Sequence, residues 1–83
     1  MENRFGVTAG AGTMRSTSIS AKHFPHRWTS EGVTVATEFT GGHLLHLAAA
    51  ACVLNDIYRE AAALGIEVKG VRVSAAGGFD TDT

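Results

Sequence analysis

The apolar positions of this sequence follow two kinds of pattern, one dense and one alternating, and the change between them divides the chain. From Thr40 to Gly65, TGGHLLHLAAAACVLNDIYREAAALG, apolar residues recur closely and without proline, on an interior of Leu, Ala, Glu and Arg that favours helix. The stretch predicts one long helix. Thr40, Gly41 or Gly42 serves as its N-cap, and Gly65 followed by Ile66 fits a left-handed C′ glycine with Ile66 folding back near Ala61. At about 100° per residue, Leu44, Leu45, Ala48, Ala51, Ala62 and Ala63 fall within about a right angle of Cys52, while Val53, Leu54, Ile57 and Leu64 spread round the other flank. A helix apolar over most of its girth is expected to be buried on more than one side, and the run Ala48 to Ala51 lets another backbone come close.

The alternating patterns predict strands. Val33, Val35, Thr37 and Phe39 alternate with Thr34, Ala36 and Glu38, after a turn at Gly32. Thr17, Ile19 and Ala21 alternate with serines, which predicts a half-exposed strand over Thr13 to Lys22, broken by His23 to Arg27 where Pro25 removes a donor. A short first strand is expected around Phe5 to Thr8. After the helix, Ile66 and Val68 have the opposite parity to Val71 and Val73, so Ile66 to Ala75 reads as one strand with a bulge near Lys69–Gly70. The ends, Met1 to Gly12 apart from that first strand and Asp80 to Thr83, read as loose. Strands, a long helix and a returning strand make an α+β chain, and residues 1–83 form a single domain with no repeat or linker.

Size adds a constraint. A chain of 83 residues buries roughly 60% of its unfolded surface, marginal for a core that stands alone, so a partner is expected. The net charge of −1, with acids and bases scattered, excludes a nucleic-acid stripe. No secretory segment and no apolar span of about 18 residues is present, because His43 and His46 interrupt the start of the helix. One cysteine makes no internal disulfide, and a cytoplasmic location with no membrane partner is expected. AGAGTM is not a dinucleotide fingerprint, since Arg15 stands where a third glycine belongs, and no cofactor is expected.

The candidate chemistry centres on Cys52. A thiol attacks as thiolate, and Cys52 lies about three turns into the helix, too deep for the helix dipole to lower its pKa. A cationic side chain must act instead. Arg59 is about 20° round the helix from Cys52 and leans toward it over Asn55 and Asp56; its other reading is a solvated arginine paired with Asp56 or Glu60. The four histidines form two His-x-x-His pairs, but His43 and His46 sit roughly 180° and 120° from Cys52. No metal site is expected, and a site built from His23, His26, His43 and His46 is the lesser reading.

The run GGHLLHLAAAACVLNDIYREAAALGIEVKGVRVSAAGGFD resembles the amino-terminal half of the OsmC/Ohr family, over about Thr40 to Asp80. The resemblance implies an OsmC-like α+β fold, a bent antiparallel sheet packed on a long central helix, completed by a second chain. It implies that Cys52 is the peroxidatic cysteine, which attacks an organic hydroperoxide, and that an arginine from the first hairpin, with Arg15 the nearest candidate, sits over the thiolate. Gly42 stands where the family's peroxidases carry a glutamate, and the resolving cysteine has no counterpart. The expectation is therefore an OsmC-like half-domain that reduces a small apolar or peroxide substrate by thiol chemistry. It works with a second OsmC-like half chain or as a homodimer. The alternative is an OsmC-like subunit without peroxidase activity, serving a different reaction or a small apolar ligand-binding or structural role.

Overall fold

A computed structural model describes residues 4–78 and contains β1 (Val7–Gly12), β2 (Lys22–His26), β3 (Thr29–Ala36), α1 (Gly41–Leu64) and β4 (Gly70–Ala75). The four strands form one sheet in the order β2-β3-β1-β4, with every neighbouring pair antiparallel. Because β3 and β4 both run antiparallel to β1, they run parallel to each other, and α1 is the crossover that such a connection requires. The chain is thus α+β, with one helix laid over β1 and β4 of an antiparallel sheet.

Local chemistry explains the helix ends. The Thr40 hydroxyl accepts the His43 N–H at 3.1 Å, which satisfies one of the four donors that a helix start leaves open. At the other end Gly65 takes φ 69°, donating to the Ala62 carbonyl at 3.2 Å while Ile66 donates to Ala61 at 2.8 Å. This paired arrangement needs a left-handed residue, which glycine adopts without the clash a Cβ brings.

The core follows from strand parity. Val7, Ala9 and Ala11 of β1 and Val33 and Val35 of β3 point to one face and are buried, and Val71 and Val73 of β4 pair beside Ala11 and Ala9 on that same face. At Ala9 and Ala11 the central strand offers only alanine methyls, so the helix settles close and inserts Leu54, its one large fully buried side chain, with Tyr58 beside it. On α1 the buried positions are His43, Ala50, Leu54, Tyr58 and Ala61, a single stripe at helical spacing. The helix is therefore buried on one side only. Cys52, roughly 160° round from Leu54, faces away from the sheet together with Leu45, Ala48, Ala49 and Val53.

Several sequence expectations change. The first strand starts and ends later than Phe5 to Thr8, reaching Gly12. Thr13 to Lys22 is not a strand. Its serines bond the local backbone, Ser18 N to Ser16 Oγ at 3.1 Å and Ser20 N to Ser18 Oγ at 3.3 Å, and Ile19 is fully exposed, so the alternation has no face to bury. His23 to Arg27 was expected to break the sheet, yet β2 runs through Pro25. The strand lies at the sheet edge and its register slips between Phe24 and His26, the setting in which a missing N–H is tolerated. The turn falls at Arg27 and Trp28, not at Gly32, which sits inside β3 at φ 80° with the Phe24 carbonyl where a Cβ would stand. β3 stops at Ala36, leaving Phe39 89% exposed. Ile66 to Lys69 lies outside β4, so the parity change occurs before the strand and no bulge is needed; Val68 still packs on the core. Asp80 to Thr83 lies outside the described residues. Among the described residues no helix is long and apolar enough to cross a membrane.

Candidate functional site

Cys52 is a free, exposed thiol on the outward face of α1. One turn back stand Ala48 and Ala49, and two turns back Leu45, 60% exposed; Val53, 49% exposed, adjoins it. Toward the C-terminus the same face turns charged at Asp56, Arg59 and Glu60. The thiol thus lies at the boundary between an apolar half and a charged half of one helix face.

The two arginines picked out with Cys52 are held elsewhere. The Arg59 guanidinium donates to Asp56 Oδ1 at 2.8 Å and approaches Glu60 Oε1 at 3.8 Å, an exposed helix-surface pair of the kind worth about 0.3–0.5 kcal/mol. Arg15 lies in the segment after β1, with Nη2 2.9 Å from Glu31 Oε2 and Nε donating to the Gly12 carbonyl at 3.2 Å. It lines a hollow on the sheet face opposite the helix, so within one chain the fold separates it from Cys52.

An apolar groove of about 230 Å³ runs between α1 and the inner face of β2 and β3. Phe24 and Pro25 form its outer wall, Val33 and Val35 its floor, and Leu47 and Ala51 its helix side. At one end His26 Nε2 meets Asn55 Oδ1 at 2.8 Å, and His26 also contacts the Thr29 hydroxyl through Nδ1 at 3.1 Å. With Asn55 Oδ1 as acceptor, Nε2 carries the proton, and the one Thr29 hydroxyl proton is shared between His26 Nδ1 and the Gly32 carbonyl at 3.3 Å. Sequence reasoning marked His26 only as one member of a His-x-x-His pair and missed its pairing with Asn55, because 29 residues separate the two. The aromatic and proline content of HFPH, a further signal, reads as a break.

The remaining histidines have separate partners. His43 is buried, with Nδ1 2.6 Å from Thr40 Oγ1 and Nε2 3.4 Å from Glu38; His46 Nδ1 donates to the Gly42 carbonyl at 2.7 Å; His23 Nε2 donates to the Glu31 carbonyl at 2.7 Å. The Phe5 ring packs edge-on against His43 and stacks on His46. Among the described residues no three His, Cys, Asp or Glu side chains converge to hold a metal ion.

Tyr58 packs its ring 5.7 Å from His26, and among the described residues its hydroxyl is the one buried side-chain polar atom without a partner. Burial pushes its pKa up from 10.0. The neutral phenol is favoured in the fold, so stability is fully present below pH 10.0 and falls as pH rises through the higher folded pKa, where the unfolded chain has already lost the proton. Tyr58→Phe is expected to remove that alkaline loss. At neutral pH it is expected to leave stability equal or raise it by up to about 1 kcal/mol, because an unpaired buried hydroxyl goes with it. Urea midpoints at about pH 7 and about pH 11 check both, and a neutral-pH loss of more than about 1 kcal/mol would mean that the hydroxyl has an acceptor.

No protein-family model, no curated protein and no solved structure matches this chain. The class defined by the fold is therefore an α+β chain with a four-stranded antiparallel sheet and a single long helix.

Proposed function

We propose that this chain is an OsmC-like half-domain whose Cys52 carries thiol redox chemistry on organic hydroperoxides, in association with a second chain packed on the outward face of α1. The observation that carries the reading is the exposure of Cys52 among Leu45, Ala48, Ala49 and Val53, on a helix face that its own sheet leaves uncovered. Two further observations support it: the lone cysteine lies mid-way along a single long helix, and that helix crosses an antiparallel sheet in the order strands, helix, strand. The second chain is a separate OsmC-like half or, failing that, a second copy. It brings the cation that activates the thiol, since Arg59 is engaged with Asp56 and Arg15 lies on the opposite face of the sheet, and it brings any resolving cysteine.

The step is a two-electron oxidation of sulfur. The Cys52 thiolate attacks the distal peroxide oxygen, the O–O bond breaks, and the leaving alkoxide takes a proton to give the alcohol, with sulfenic acid left on Cys52. Two equivalents of an external thiol then return the cysteine and release water and a disulfide. A small apolar hydroperoxide suits the setting, because the surrounding side chains are aliphatic.

The test is sulfenic-acid trapping. One equivalent of cumene hydroperoxide followed by dimedone should add a single label at Cys52, and none in Cys52→Ser, with the chain alone and with its genomic neighbour co-expressed. A thiol inert to hydroperoxide and to alkylation at about pH 8 in both preparations would remove the redox reading. The second reading, a subunit without peroxidase activity that holds a small apolar ligand, is favoured by the apolar groove closed by His26 and Asn55, which Cys52 does not line.

A further inference from the structure

The sheet face turned away from the helix is built differently from the rest of the surface. Parity places Thr8, Gly10 and Gly12 of the central strand on it, with Ser74 and Arg72 beside Thr8 and Gly10 on one flank and Ala36 and Thr34 on the other. The segment after β1 turns back over this face. The Met14 and Arg15 N–H groups donate to Ala11 and Gly12, the Met14 carbonyl lies where a Cβ on Gly10 would stand, and Ser16 N donates to Thr34 Oγ1 at 2.7 Å. Glycine at position 10 is what lets the segment lie flat. A hollow of about 550 Å³ results, with the sheet as its floor and residues 14–17 as one wall.

Its chemistry is one-sided. Arg15 and Arg72 line it together with the hydroxyls of Thr8, Ser16, Thr17, Thr34 and Ser74, and no aspartate or glutamate does, in a chain of net charge −1. The hollow beneath Trp28 and Tyr58, by contrast, includes Glu31 and Glu67. Arg15 is held in place by Glu31 and Gly12, while Arg72 stands exposed on β4 beside Gly10. Thr8 Oγ1 and Ser74 Oγ, 3.1 Å apart, share one hydrogen bond and leave a donor and lone pairs over. This set supplies more donors than the two oxygens of a carboxylate accept, and it matches the three acceptor oxygens of a phosphate monoester.

We propose that this hollow binds the phosphate of a small phosphomonoester, with Arg72 and Arg15 pairing the oxyanion and the hydroxyls of Thr8, Thr17 and Ser74 completing its hydrogen bonds. The site stands apart from the thiol and does not rest on the redox reading. The probe is inorganic phosphate, titrated at constant ionic strength against the ¹H–¹⁵N spectrum of the full chain, with acetate as the carboxylate arm. Saturable shifts are expected at the amides of Thr8, Thr34, Arg72 and Ser74, with a Kd on the order of 1 mM. Arg72→Gln and Arg15→Gln should each weaken binding about tenfold, and Lys22→Gln on the far edge strand should leave it unchanged. Thr8→Val removes a ligand hydroxyl while keeping the shape of the strand, and should weaken binding several-fold in a folded chain. Shifts that never saturate, a loss in Lys22→Gln equal to that in Arg72→Gln, or acetate binding as tightly as phosphate would each overturn the assignment.

Discussion

Leu54→Ala is expected to lower the stability of the chain by about 2–5 kcal/mol, a large share of what a chain of this length has. Leu54 is the one large side chain that is fully buried, and the strand residues that face it in the core are alanines and valines too short to swing into the gap, with only Tyr58 and the partly buried Leu47 of its own helix larger. A chain of this length has on the order of 4–12 kcal/mol to lose at about 0.05–0.15 kcal/mol per residue. Urea denaturation followed by far-ultraviolet circular dichroism measures the effect. A loss below about 1 kcal/mol would mean that the helix does not dock on the sheet through this residue.

The second large effect concerns association. Leu45, Val53 and Leu64 on the helix are 60%, 49% and 71% exposed, and the opposite rim of the groove adds Phe24 at 50%. A chain of 8.7 kDa with that much open aliphatic surface is expected to self-associate at micromolar concentration when expressed alone, or to co-purify with its genomic neighbour. Leu45→Glu combined with Val53→Glu places two charges on the outward helix face without touching the sheet contact. It should yield a folded monomer with unchanged helix content, because a buried unpaired carboxylate at an interface opposes binding far more than an exposed one affects folding. Light scattering with mass spectrometry decides the outcome: a monodisperse wild-type monomer would show that the outward face needs no cover.

The sequence alone determined the features whose physics is local. The Thr40–Gly42 stretch, Gly65 and the uninterrupted helix formers between them bound α1 without help from the rest of the chain, and of the three N-cap candidates Thr40 takes the position while Gly65 forms the expected C-cap. Val33 and Val35 were legible as an inward pair, because alternation at period two has one meaning once a face is buried. Tertiary structure decided the rest. Apolar residues surround α1 on most sides, so periodicity could not choose the buried stripe; the sheet chose it, taking His43, Ala50, Leu54, Tyr58 and Ala61 against the small side chains of β1 and turning Cys52 outward. Pro25 reads as a breaker in isolation and is accommodated because β2 pairs on one side only. The placement of Arg15 depended on the segment after β1 folding back over Gly10, and that of Arg59 on carboxylates one turn away and next in sequence. The Arg59 pairing was legible as the second reading of that residue, because Asp56 and Glu60 are local; the Arg15 partner Glu31 was not, because it comes from β3. The His26–Asn55 pair and the facing of Arg72 beside Thr8 and Ser74 arise only when strands distant in sequence come into register, a choice made by the packed sheet and not by the residues taken one segment at a time.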